Sequence, residues 1–235
     1  MIVFSYGITK TGSTLAFELI KGCLESVGQP QRRLDDGLVE PGHPINFLAI
    51  RRHTPEELQA LVDAVPADEI IAVKTHDSFA PPHRDVIERG CRDGLIVPQV
   101  VHRDPRDTCL SMLDAGTEAR KNGRQAFSEF LTIEDTKDAI ERQLRNLDIW
   151  LQMPNVLELQ YDELVDNPFG VIGKIGTALG ITPDPAFAHN HAFNKAFTQK
   201  NKAKLHRYLE DMSPDDQASV VDRFRPYMER HGYVS

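Results

Sequence analysis

An α/β fold in three α/β/α layers around a central parallel sheet is the class that this sequence predicts. Three observations predict it. Short apolar runs recur along the chain and alternate with stretches of helical periodicity. The runs are apolar throughout rather than every second residue, as in strands covered on both faces. Each run also ends in glycine or in polar side chains fit for chemistry, which is where ligands sit in such sheets.

The elements follow in order. Ile2 to Tyr6 reads as a buried strand bounded by Gly7. Ser13 to Val27 carries Leu15, Leu19, Ile20, Cys23, Leu24 and Val27 at helical spacing, and Gly28 and Pro30 end it. Residues 30–54 have little periodicity and read as a long loop; loops of that length are usually functional or disordered. Pro55 to Val65 predicts a short helix and Glu69 to Lys74 a second strand. Leu95 to His102 predicts a third strand, with Pro98 a blemish near its start. Asp104 and Pro105 read as cap and first turn of a helix over 105–116. Residues 119–134 are polar and ambiguous. A helix over Asp135 to Leu151, a fourth strand over Asn155 to Gln160, and helices over 168–180 and 214–231 complete the series, the last disturbed by Pro226. No repeat, low-complexity segment or linker interrupts the chain, so residues 1–235 read as one domain.

Composition narrows the function. Net charge is −8, which disfavours a general nucleic-acid role and requires any anionic ligand to be held by a local cluster of cations. Three scattered cysteines cannot all pair within one chain and form no C-x-x-C, so a reducing compartment is expected. The first strand begins at Ile2, leaving no room for a signal peptide, and the apolar runs fall short of the ~18 residues of a membrane span. A cytoplasmic protein is the expectation. The oligomeric state is left open, a homodimer included.

The strand ends carry the candidate chemistry. Gly7 and Gly12 bracket four residues after the first strand, and Ser13 and Thr14 then open a helix. Glycines let backbone N–H groups converge on an anion, and the helix N-terminus adds its dipole. The arrangement is close to the nucleotide loop G-x-x-x-x-G-K-[ST], except that Ser13 stands where the lysine belongs and Lys10 lies two positions before Gly12. In a chain with 15 glycines, a pair at this offset arises about once by chance, so a plain strand–turn–helix is the competing reading. After the second strand comes Lys74-Thr75-His76; a histidine there can take a proton from a hydroxyl, or can simply sit at the surface. After the third strand, Arg103 and Ser111 offer a guanidinium fork and a hydroxyl to a terminal phosphate, against the plainer reading of Arg103 paired with Asp107.

Together these pieces resemble the cytosolic-type sulfotransferases, which use 3′-phosphoadenosine 5′-phosphosulfate (PAPS). Thr9-Lys10-Thr11-Gly12-Ser13-Thr14-Leu15 resembles the family's P-K-S-G-T-T-W, Lys74-Thr75-His76 its K-T-H, and Arg103 to Ser111 its R-[ND]-P-[KR]-D-x-x-x-S. Tyr161 to Pro168 resembles Y-E-D-L-x-x-[DN]-P, and the likeness runs from residue 2 to about 200. The resemblance implies the P-loop-like sulfotransferase fold, PAPS as co-substrate, 3′,5′-bisphosphoadenosine as product and no required metal. It implies Lys10 at the oxygen bridging phosphorus and sulfur, Thr11, Gly12, Ser13 and Thr14 at the 5′-phosphate, His76 as the base, Lys74 near the sulfuryl group, and Arg103 and Ser111 on the 3′-phosphate. Tyr161 falls near the nucleotide, and Phe193, in His191-Ala192-Phe193, over adenine. Two departures matter. Leu15 replaces a tryptophan, so adenine is stacked differently. The family's C-terminal R-K-G-x-x-G-x-W loop is replaced by a segment with Lys200, Lys202, Lys204 and Arg207, one or two of which are expected to close over the 3′-phosphate.

The acceptor is unread: a small molecule, glycan or lipid offering a hydroxyl or amine. Its expected walls are residues 30–54 and 112–134, whose Arg32, Arg33, Arg51, Arg52, Arg120 and Lys121 are either a hint of an anionic acceptor or ordinary surface charge. Two rival readings stand beside the enzyme. One is a P-loop kinase, with Asp104 imitating a metal-binding acid. The other is a sulfotransferase-like scaffold that only binds nucleotide.

Overall fold

The computed structural model describes residues 1–196 and 204–234 and divides into two compact units. The first unit comprises residues 1–7, 12–102 and 146–199; the second comprises 8–11, 103–145 and 200–235.

The first unit holds a four-stranded, wholly parallel sheet in the order β2-β1-β3-β4: β1 is Ile2–Gly7, β2 Ile71–Thr75, β3 Ile96–His102 and β4 Leu157–Gln160. All four expected strands are present, and β1 and β3 are buried along their whole length. Pro98 is tolerated because β3 pairs with β4 only from Gln99 onward, so the missing N–H costs no bond on that side.

Strand alternation gives the sheet two faces. Val3, Ala72, Val97, Val101, Leu157 and Leu159 join one buried cluster with residues of α1 (Ser13–Ser26), α7 (Pro168–Leu179) and α8 (Pro185–Asn190). On the other face Phe4 and Tyr6 meet Trp150, at ring separations of 6.1 and 5.7 Å, and Phe79 packs edge-on to the same indole at 4.8 Å. The Trp150 Nε1–H donates to the Asp77 carbonyl, which satisfies its one polar atom.

Helix α2 (Pro55–Asp63) starts with a complete capping box between Thr54 and Glu57. Helix α3 (Pro81–Arg92) has no counterpart among the expected elements; its sequence is strongly polar, but Val86, Ile87, Gly90 and Cys91 form a buried stripe. The expected long loop at 30–54 is anchored. Asn46 accepts from the Leu34 N–H and donates to the Arg32 carbonyl, while its own carbonyl accepts from Lys74 N–H and Leu48 N–H donates to Lys74 O. Residues 46–48 thereby extend the β2 edge, with Phe47 bridged to Lys74.

The second unit contains α4 (Pro105–Lys121), most of α5 (Ile133–Leu151), a short α9 (Tyr208–Asp211) and α10 (Pro214–Arg230). Helix α4 packs against α9 and α10. It runs a turn beyond the expected end, and α10 continues through Pro226 rather than breaking there. Cys23, Cys91 and Cys109 are buried and unpaired, and burial pushes each thiol up to about 12. Among the described residues, no helix is long and apolar enough to cross a membrane.

Candidate active site

In the first unit, the carboxyl ends of β1 and β2 bring Gly7, the start of α1 at Gly12, Lys74 and His76 together. A Cβ on Gly7 would lie 2.5 Å from the Ser13 Cβ and 2.7 Å from Val101 Cγ1, so only glycine lets α1 begin this close to the strand. Gly12 has φ +84°, and a Cβ there would lie 2.4 Å from Cδ2 of Tyr161. Tyr161 opens the short helix α6 (Tyr161–Asp166) directly after β4, and its ring packs on the bare Gly12 backbone. Helix α1 has no side-chain N-cap, and its first internal bond runs from Ala16 N–H to Gly12 O. The N–H groups of Ser13, Thr14 and Leu15 precede that ladder and are suited to an anion.

Lys74 points into this turn: its Nζ donates to Thr14 Oγ1 at 2.8 Å. Burial lowers the ammonium to about 8, against a smaller upward pull from Glu18. A proton on Lys74 is therefore easily lost unless an anion arrives to hold it. Beneath it the parallel register places Lys74, Ser5 and Gln99 in one row, and Ser5 donates to Gln99 Oε1 at 2.6 Å.

His76 lies two residues further on. Its Nδ1 is 2.8 Å from the Gly7 carbonyl, which can only accept, so Nδ1 carries the hydrogen and Nε2 the lone pair. Burial, reinforced by Lys74, lowers this imidazole below its ordinary value, against the Gly7 bond and Asp77. The ring is thus neutral near pH 7 and in the tautomer of a base at Nε2. Phe47 stands beside it at 5.9 Å between rings, stacked in turn on His43.

The second unit holds the other half of the motif residues. Lys10 adopts φ +70°, and the turn around it is closed by Thr11, whose N–H and hydroxyl both donate to Ile8 O. The Thr9 N–H donates to Gln143 Oε1 at 2.6 Å. The Lys10 Nζ lies 5.4 Å from the centre of the Phe127 ring, and burial lowers it, with Asp114 pulling the other way. Arg103 is buried and pairs with Asp107 at 2.8 Å, and Ser111 is buried two turns along α4. Asp104 caps α4 and is engaged by Arg106 through its backbone and guanidinium, so it serves as a cap and not as a metal-binding acid.

A loop that leaves helix N–H groups for an anion, flanked by a buried lysine and a neutral histidine, suits transfer of a compact charged group to a deprotonated nucleophile. Residues 53–185, more than half of the chain, match the sulfotransferase family. The chain belongs to the sulfotransferase family. No curated protein matches it. Among solved structures it is similar to mouse sulfotransferase SULT7A1 complexed with PAP, at TM-score 0.58 and 15% identity over 97% of this chain and 83% of that one. It is also similar to retinol dehydratase in a complex with retinol and PAP, at TM-score 0.57 and 16% identity over 97% and 81%, and to the same enzyme with androsterone and PAP, at TM-score 0.55. At these identities the likeness is one of fold.

In this sulfotransferase the first unit unites Gly12, Ser13, Thr14, Lys74, His76 and Tyr161; Lys10, Thr11, Arg103, Ser111, Lys204 and Arg207 belong to the second. Lys204 pairs with Glu210, and Arg207 with Asp114 at 2.8 Å and Asp211 at 3.0 Å. Lys200 and Lys202 lie outside the described residues. Phe193 sits in a π-helical turn, His191–Lys195, and packs with Leu15 against the same core cluster. Its ring stacks on His189 at 4.5 Å, and His189 on Phe169 at 5.3 Å. Sequence reasoning missed the Thr14–Lys74 and Gly7–His76 bonds; the parallel register Ser5↔Lys74 is what makes both, and a β1–β2 pairing hypothesis could have found it. Of the arginines in 30–54, Arg32 pairs with Glu69 and Arg52 with Glu40, as ordinary surface charges do, whereas Arg33, paired with Asp36, also donates to the Leu34, Glu40 and His43 carbonyls and ties the segment to itself.

Proposed function

We propose that this sulfotransferase moves the sulfuryl group of PAPS to a hydroxyl or amine of its acceptor by direct in-line displacement. The observation that carries the reading is the Gly7 carbonyl fixing the His76 tautomer beside a lysine already bonded to the nucleotide-loop threonine. His76 Nε2 takes the acceptor proton while the acceptor oxygen or nitrogen attacks sulfur. The S–O bond to the 5′-phosphate breaks, and its electron pair leaves with 3′,5′-bisphosphoadenosine. Lys10 and Lys74 stabilise charge at the leaving oxygen and sulfuryl group. The N–H groups and hydroxyls of Ser13 and Thr14 hold the 5′-phosphate, with Thr11 and Gly12 setting the loop. Arg103 and Ser111 bind the 3′-phosphate, and Tyr161 and Phe193 border the nucleoside.

Structural neighbours crystallised with PAP, and with retinol or androsterone, support a nucleotide donor and a small hydroxyl-bearing acceptor. The Phe47 ring beside His76 supports an acceptor with an apolar ring. Buried, unpaired thiols support a cytoplasmic location.

The test is transfer from sulfur-labelled PAPS to a panel of hydroxyl and amine acceptors. Transfer is expected, falling by ~10²–10⁴-fold in His76→Ala, with affinity for 3′,5′-bisphosphoadenosine little changed. No transfer to any acceptor would favour a binding scaffold, and full activity in His76→Ala would exclude it as the base.

A further inference from the structure

Asp107 is a charged residue of the Arg103–Ser111 motif to which the reaction assigns no task, yet it is almost wholly buried. Its Oδ2 accepts from Arg103 Nη2 at 2.8 Å and from the His206 N–H at 3.0 Å; its Oδ1 accepts from the Tyr208 N–H at 3.1 Å. Arg103 Nη2 also donates to the Lys204 carbonyl at 3.2 Å. The two backbone donors are not there by accident of packing. His206 has φ +53° and Arg207 is right-handed (φ −57°, ψ −28°), an alternation that turns the N–H groups of 206 and 208 to one side. That is the geometry of a backbone anion nest, and the Asp107 carboxylate fills it. A neighbouring link acts on the same segment: the Arg106 guanidinium lies 3.7 Å from the centre of the Tyr208 ring.

We propose that Asp107 is a positioning residue for recognition of the donor's 3′-phosphate: one carboxylate orients Arg103 and simultaneously holds residues 204–208, which carry Lys204 and Arg207. The inference rests on the assignment of Arg103 to the 3′-phosphate. The Asp107 carboxylate oxygens are taken up by Arg103, His206 and Tyr208, so the role assigned to Asp107 is indirect. It acts by fixing the plane of the guanidinium before the ligand arrives, so less side-chain freedom is lost on binding.

The readout is the preference for 3′,5′-bisphosphoadenosine over adenosine 5′-monophosphate, measured by calorimetry on the full chain. Damage to the fold weakens both ligands; loss of positioning weakens only the first. Asp107→Ala is expected to reduce the preference roughly three- to tenfold. Asp107→Asn, which keeps one accepting oxygen, should reduce it less while speeding amide exchange at His206 and Tyr208. If Asp107→Ala does not fold, Asp107→Asn carries the test. A preference within experimental error of wild type in a folded Asp107 variant, with Arg103→Ala abolishing it, overturns this inference alone. A wild-type protein with no preference overturns the Arg103 assignment, and this inference with it.

Discussion

Gly12→Ala adds one methyl group and removes no contact, so its cost can be worked from two independent features. The backbone at Gly12 has φ +84°, where an L-residue is disfavoured by about 1–2 kcal/mol. The new Cβ would also lie 2.4 Å from Cδ2 and 2.8 Å from Cε2 of Tyr161, a rigid ring, and relieving such overpacking costs about 1–3 kcal/mol. The sum, about 2–5 kcal/mol, is a large share of the ~5–15 kcal/mol that stabilises a typical domain. A double-mutant cycle separates the parts. In a Tyr161→Ala background the steric part vanishes and Gly12→Ala should cost only the backbone part, about 1–2 kcal/mol. Urea denaturation of the four proteins measures the cycle, with slopes compared to confirm that the unfolded states match. A Gly12→Ala stability change of less than about 0.5 kcal/mol would contradict the sum, and an equal cost with and without the Tyr161 ring would contradict its steric part.

Three further outcomes are expected. The profile of kcat/KM for PAPS against pH, which reports the free enzyme, should be bell-shaped: His76 must be neutral, so activity is lost as pH falls through its lowered value, and Lys74 must be charged, so activity is lost as pH rises through about 8. Lys74→Arg should carry the alkaline limb well above pH 8, and an unmoved limb would assign it to another group. Arg103→Ala should weaken 3′,5′-bisphosphoadenosine about 10- to 100-fold, the worth of a charged hydrogen bond, and adenosine 5′-monophosphate far less; equal weakening in calorimetry would remove the assignment. Transfer should survive EDTA, and a strict Mg²⁺ requirement would restore the kinase reading.

What the sequence disclosed, and what it hid, divides by range. Strands were legible because a fully buried parallel sheet demands unbroken apolar runs such as Ile2–Tyr6. Helix starts were legible at Pro55, Pro105 and Pro168, where a proline opens a segment whose apolar period can be read. Helix α3 was missed because its buried stripe is only four residues in an otherwise charged segment. The short α6 and α8 were missed because one or two turns give no period to read. The anchored course of 30–54 was hidden for a different reason: it depends on side chains bonding backbone groups far along the chain, Asn46 to groups 12 and 14 residues away and Gln31 to Ile70 and Ala72 of the second strand region. The chemistry-bearing residues were named from motif order. Their bonds to one another were not, since Thr14 to Lys74 spans 60 positions and Gly7 to His76 spans 69.

The three sequestered thiols give the molecule built-in reporters of its own opening. With thiols near 12 and no exposed sulfur, a modifying reagent reacts only with chains that have transiently unfolded around the cysteine. Cys23 and Cys91 belong to the first unit and Cys109 to the second. Mass spectrometry of pulse-alkylated protein therefore reads the breathing of the sheet and of the helical unit in a single sample, with no engineered label. A nucleotide that clamps the glycine loop would slow the first two sites, and one that clamps the Arg103 helix would slow the third.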